Sequence, residues 1–181
     1  TDLLKRGQLR NNTLVATIMS NMGLDAAIRD AGGKVVRTQV GDKFVIDEMR
    51  RLDANLGGEQ SGHLIFRDFT TTGDGIISAL QVLRIMADSG KPLSKLRQVV
   101  EKFPQVVINV RVKDKPAWET MPDVLALVNE VETKLGDEGR VLLRYSGTEP
   151  KARLLIEGRK RDQISRYAEQ IIALIQQKIG A

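Results

Sequence analysis

Apolar positions come in short bursts through the first half of the chain. Leu14 to Met19, LVATIM, is bounded by Asn11-Asn12 and Ser20-Asn21 and predicts a buried strand. Gly23 to Ala31 carries helix formers and stops at Gly32-Gly33, and Lys34 to Thr38, KVVRT, predicts a second strand. From Asp42 to Leu52 the apolar residues Phe44, Val45, Met49 and Leu52 fall at helical spacing, with Asp42 as the expected N-cap. Gly57-Gly58, a short extended patch from His63 to Phe66 and a threonine-rich turn follow. Gly75 to Ser89 predicts a helix with Ile76, Ile77, Leu80, Leu83 and Met86 along one face. Strands alternating with helices predict an α/β domain, a mixed and mostly parallel sheet with helices on both faces.

The pattern changes near Lys91-Pro92 and again at Phe103-Pro104. Gln105 to Val112, QVVINVRV, alternates as a half-exposed strand does. Met121 to Leu135 is amphipathic, with Pro122 suited to a first helical turn. Arg140 to Tyr145 and Ala152 to Glu157 read as two strands joined by a polar loop, and Asp162 to Ile179 as a final amphipathic helix. The order β-α-β-β-α predicts a smaller α+β domain, an antiparallel sheet with two helices. The expected domains are residues 1–103 and 104–181.

Composition narrows the class. Hydrophobic residues are 41% of the 181, enough for a buried core and too many for a disordered tail. No run of about 18 apolar residues exists, so no membrane-spanning helix is expected. The opening TDLLKRGQLR has no apolar stretch after its charges and is not read as a signal peptide. Zero cysteines exclude disulfides, thiolate zinc sites and thiol chemistry, and suit a reducing compartment. The net charge is +5, and most of it lies between residues 144 and 166, where seven basic side chains meet three acidic ones. A local excess of this kind points to a site for an anion. Aromatic residues are only 4%, which argues against a stacking platform for single-stranded nucleic acid.

Three loops could carry chemistry. Gly57-Gly58-Glu59-Gln60-Ser61-Gly62-His63 holds three glycines, a carboxylate, an amide, a hydroxyl and the only histidine. It fits a loop that hydrogen-bonds a polyhydroxylated ligand, and it equally fits a tight solvated turn. His63 is a candidate proton carrier or a structural residue. It cannot build a metal site, having no second histidine or cysteine to join it. Arg144-Tyr145-Ser146-Gly147-Thr148-Glu149-Pro150, with Arg153 beyond, sets two arginines around a loop of hydroxyls and backbone N–H groups, a pattern suited to phosphate. It is not a Walker loop, since the lysine and glycine spacing are wrong. Gln39 to Lys43 leads from a strand into a helix, the edge at which α/β ligands bind. Gly73-Asp74-Gly75 reads as a helix cap rather than a metal loop, one carboxylate being too few for Mg2+.

GGEQSGH and RYSGTEP, in this order, together resemble the α-D-phosphohexomutase superfamily. VGDKFV at 40–45 and NNTLVATIMSNMGL at 11–24 resemble it too. Gln60 is similar to the bacterial phosphoglucosamine mutase branch; the phosphomannomutase/phosphoglucomutase branch commonly has methionine there. The resemblance covers essentially the whole chain. It implies the third and fourth of four domains, the fourth having a TATA-binding-protein-like fold. The family's phosphoserine loop, of TASHNP type, and its DGDGDR-type Mg2+ loop belong to the first two domains and are absent from this sequence. What remains is the substrate-recognition half, expected to be inactive alone.

The implied reaction interconverts glucosamine 6-phosphate and glucosamine 1-phosphate through a phosphoserine and a bisphosphate intermediate, on the route to UDP-N-acetylglucosamine. By motif match Glu59 and Ser61 bind sugar hydroxyls, with Lys43 a further contact. The resemblance implies that His63 would lie beside the reacting oxygen, as a candidate for proton transfer. By the same match Arg144, Ser146, Gly147, Thr148 and Arg153 are expected to hold the phosphate that is not reacting. The implied cofactor is Mg2+, with no ligands in this sequence. The implied partners are the phosphosugar and the N-terminal domains of the same chain, with neither nucleic acid nor membrane, in the cytoplasm. One alternative is a phosphomannomutase/phosphoglucomutase of the same superfamily. Another is a stand-alone phosphosugar-binding module, for which an opening Thr in place of Met is unexpected. A third is a nucleic-acid-binding domain suggested by the second fold, though fold does not carry function.

Overall fold

A computed structural model describes all 181 residues, which form two compact units, Thr1–Lys102 and Phe103–Ala181. The first runs α1 (Asp2–Lys5), β1 (Thr13–Thr17), α2 (Gly23–Asp30), β2 (Lys34–Thr38), α3 (Asp42–Arg51), β3 (Leu56–Gly58), β4 (Leu64–Phe66), α4 (Gly75–Ser89) and α5 (Leu93–Leu96). Its sheet has the order β2-β1-β3-β4; β1 pairs parallel with β2 and β3, and β4 closes the edge antiparallel to β3.

Pleating sends alternate side chains to opposite faces. Val15, Gly57 and Ile65 are in register and meet Val45, Ile46 and Met49 of α3 in a small buried cluster. A Cβ on Gly57 would sit 2.5 Å from the Met49 sulfur and 2.9 Å from Val45 Cγ1, so glycine lets α3 settle on the sheet. Leu14, Ala16, Leu56 and Phe66 line a groove of about 400 Å3 together with Leu24 and Ile28 of α2.

Several elements differ from the sequence reading. β1 ends at Thr17 rather than Met19. Arg37 of β2 donates to the carbonyls of Thr17 (2.9 Å) and Ser20 (2.8 Å) and pairs with Asp25, which pins the chain in a turn there. Gly57-Gly58, expected in the loop that runs to His63, belongs to a strand. The N-cap of α3 is Gly41 at φ 132°, a conformation side chains avoid, and Asp42 sits in the first turn with its carboxylate accepting from the Lys43 N–H. Helix α4 spans the expected residues, capped by the Asp74 carboxylate on Ile77 N–H (2.8 Å) and ended by Gly90 at φ 64°. Yet none of its residues is buried, and Ile76, Leu80 and Leu83 are 75%, 57% and 57% exposed.

The second unit runs β5 (Gln105–Arg111), α6 (Pro122–Leu135), β6 (Gly139–Tyr145), β7 (Lys151–Gly158) and α7 (Arg161–Ile179). The strands form an antiparallel sheet ordered β5-β7-β6. From the central strand, Ala152, Leu154 and Ile156 pack with Val124 and Val131 of α6 and with Ile164, Ile171 and Ile175 of α7. Arg153, Leu155 and Glu157 alternate with these and point away from the helices. The Glu157 carboxylate is fully buried, held by Arg140 at 2.5 Å and by the Gln105 amide.

Candidate functional site

In the first unit the candidate residues gather where the parallel strands end. Strands β3 and β4 form a hairpin whose tip is Glu59 to His63. The Glu59 N–H donates to the His63 carbonyl at 2.9 Å, and Gly62 turns the chain at φ 100°. The Glu59 carboxylate reaches across to the connection ahead of α3: Oε1 accepts the Gly41 N–H at 2.7 Å. Its other oxygen accepts the Ser61 hydroxyl at 2.9 Å, and that hydroxyl lies 3.3 Å from His63 Nδ1. Gly41, Glu59, Ser61 and His63 thus form one hydrogen-bonded chain at the surface. A Cβ on Gly73 would come within 3.0 Å of the His63 ring, so the bare Gly73 backs the imidazole. Lys43 is exposed on the first turn of α3 and borders a separate depression of about 310 Å3 with Asp47, Arg50 and Thr72.

The second unit carries the arginine loop. The β6–β7 register sets Arg144 directly opposite Arg153, on the face away from the helices. Like charges directly opposite on neighbouring strands repel. An anion placed between them would relieve that repulsion and could accept charge-assisted hydrogen bonds from guanidinium groups. Arg144 is half-buried and makes no side-chain hydrogen bond or ion pair. Arg153 donates to Glu149 at 2.7 Å and to the Ser146 hydroxyl at 3.4 Å, while its buried Nε finds no partner. Ser146 is 4% exposed, and Gly147 and Thr148 form the exposed tip. Lys151 and Arg153 together hold the Glu149 carboxyl below the usual carboxylate range.

Two supports of this loop escaped the sequence reading. Lys115 Nζ donates to the Ser146 carbonyl at 2.6 Å from 31 residues away. The Trp118 ring stacks on Tyr145 at 4.2 Å between centroids, and burial pushes the Tyr145 hydroxyl up. In the sequence Lys115 is one charge among several before Pro116, with nothing to announce a long-range contact. No three His, Cys, Asp or Glu side chains gather as a metal-binding group, so the residues present do not fit a Mg2+ site. No helix is long and apolar enough to cross a membrane.

An α/β/α unit followed by a small antiparallel unit, each with its own polar loop, defines a class. Residues 1–103 match phosphoglucomutase/phosphomannomutase alpha/beta/alpha domain III, and residues 107–174 match the C-terminal domain. The chain belongs to the phosphoglucomutase/phosphomannomutase family. It is 58% identical over 180 residues to a phosphoglucosamine mutase of Geobacter metallireducens and 53% identical to one of Geotalea uraniireducens. Those alignments take in 99% of this chain and 40% of each relative, so the chain spans about two fifths of the relatives' length. Among solved structures, Aspergillus fumigatus N-acetylphosphoglucosamine mutase with glucose 1,6-bisphosphate has the same fold (TM-score 0.76, 18% identity, 99% of this chain and 41% of that one). The same enzyme with GlcNAc-6P and magnesium aligns at TM-score 0.70 and 16% identity, over 96% of this chain and 41% of that one.

Proposed function

We propose that this chain is the substrate-recognition part of a phosphoglucosamine mutase that interconverts glucosamine 6-phosphate and glucosamine 1-phosphate. The observation that carries the reading is the paired Arg144 and Arg153, two registered cations of which the first has no partner. The names of the 52–58% identical relatives favour the amino sugar over a broader hexose. In this reading the arginine loop takes phosphate, with the Ser146 hydroxyl and the Gly147 and Thr148 backbone completing the cradle. Glu59 and Ser61 take sugar hydroxyls. Two accepted hydrogen bonds leave the Glu59 carboxylate with free lone pairs for a ligand donor. His63, whose Nδ1 lies 3.3 Å from the Ser61 hydroxyl, would be the group to move a proton at a sugar oxygen.

The longer protein would pass a phosphoryl group from a phosphoserine to the sugar's free hydroxyl. The resulting bisphosphate would then return its other phosphate to the serine. Such transfer depends on positioning and charge stabilisation, which is what these two loops offer. Magnesium and the phosphoserine would come from other parts of the protein. The 181-residue chain alone is expected to make no glucosamine 1-phosphate. In the full-length enzyme, Glu59→Ala is expected to lower kcat/KM by about 2–4 kcal/mol in transition-state terms. An unchanged kcat/KM removes Glu59 from the sugar site.

A further inference from the structure

We propose that Glu149 is a built-in competitor for the phosphate site, an internal carboxylate that occupies the arginine loop whenever the ligand is away. The inference rests on the phosphate reading of the loop and adds a residue whose role is opposed to binding. Glu149 sits inside the RYSGTEP segment, flanked by the basic residues that the anion is to meet. Its Oε1 takes Lys151 Nζ at 2.5 Å and its Oε2 takes Arg153 Nη2 at 2.7 Å, so one carboxylate bridges two of the three cations at the hairpin. The third, Arg144, is left alone.

A phosphate entering here meets one guanidinium ready to bind and one whose Nη2 is already engaged by a carboxylate. It must displace the Glu149 carboxylate or settle beside its negative charge, and both weaken binding. The displacement is local. Ser146 is buried, its carbonyl is held by Lys115, and its hydroxyl accepts the Glu149 N–H at 3.3 Å, so the turn stays in place while the Glu149 side chain leaves. That side chain is 41% exposed and has water to move into. The competitor offsets part of the loop's positive charge when the site is empty and keeps the bound phosphate loosely held. Loose holding suits a reaction in which one site must accept either end of a sugar bisphosphate and release it again.

The test is a titration of the 181-residue chain with inorganic phosphate, followed by backbone amide shifts. Glu149→Gln preserves the side chain's size and removes its charge. It is expected to bind phosphate about two- to tenfold more tightly, the range set by one exposed ion pair and one like charge removed. Glu138→Gln is the control for net charge, because Glu138 pairs with Arg159 (2.7 Å) at the opposite end of the same strand pair. It should bind as the unsubstituted chain does, and Arg144→Ala should not bind. Equal or weaker binding by Glu149→Gln, with the Arg144→Ala loss intact, overturns the competitor and leaves the phosphate loop standing. Equal tightening in Glu138→Gln also overturns it, as a net-charge effect. Absence of shifts at residues 144–153 in every chain overturns the phosphate loop and the competitor with it.

Discussion

The two units bury their apolar residues very differently. In Phe103–Ala181 sixteen residues form one continuous buried cluster between the sheet and both helices. In Thr1–Lys102 the corresponding cluster has six, all around α3 and the face of the sheet it covers. The groove on the other face stays open, and α4 presents Ile76, Leu80 and Leu83 to solvent. The smaller unit therefore holds its arginine loop on a complete core. The larger one holds its Glu59 hairpin on a sheet with one well-packed face. The difference separates what rests on internal packing from what does not, and substitutions can probe each side.

The largest effect is expected deep in the second unit. Ile171→Ala removes a fully buried side chain from α7 and should destabilise that unit by about 2–5 kcal/mol in urea unfolding. A loss below about 1 kcal/mol would show that the core tolerates a void there and that the contrast between units is overstated. Next comes Gly57→Ala, which drives a methyl group against Met49 and Val45 and should cost about 1–3 kcal/mol through overpacking. Stability unchanged by that methyl would mean α3 is free to lift from the sheet. Leu80→Ala, on the open face of α4, should shift the unfolding midpoint by less than about 0.5 kcal/mol. A core-sized loss at Leu80 would mean that face is covered in solution.

The smallest effect is acidic and also divides the units. Asp123 of α6 bonds Lys178 of α7 at 2.7 Å, and this pair holds its carboxyl below the usual aspartate range. Glu48 is also depressed, but by Arg51 on its own helix α3. A carboxyl whose folded pKa lies below its unfolded value stabilises the fold above the unfolded pKa. That contribution is lost as pH falls through the folded one. Acidifying from pH 6 to 3 should therefore weaken the α6–α7 packing, and Asp123→Asn should flatten that pH dependence. Identical pH profiles for Asp123→Asn and the unsubstituted chain would remove the pair from the account.

Much of this architecture was legible in the chain. KVVRT and the apolar face of residues 75–89 mark their elements, because periodicity reports which side of an element is apolar. Periodicity does not report what lies against that side, and α4 turns out to have little. Gly57-Gly58 reads as part of a loop because glycine is permissive in isolation; in the fold it is in a strand, thinned at Gly57 to admit Met49. Asp42 loses the capping position to Gly41, whose φ of 132° no sequence pattern displays. The motifs named Glu59, Ser61, His63, Arg144 and Arg153. Their local wiring, from Gly41 to Glu59 and from Lys115 to Ser146, depends on contacts between residues 18 and 31 positions apart.

The central claim is that the hairpin arginines form an anion site complete within its own unit. The direct measurement is an amide-shift titration of this chain with glucosamine 6-phosphate at low and moderate salt, alongside Arg144→Ala, Arg144→Lys and Lys178→Ala. The account predicts saturable shifts confined to residues 144–153 with affinity in the millimolar range, about −4 kcal/mol. They should vanish in Arg144→Ala and be partly restored in Arg144→Lys, which lacks the two-pronged fork. Lys178→Ala should leave them intact. Shifts spread over the whole basic surface, or binding that survives Arg144→Ala, would contradict it.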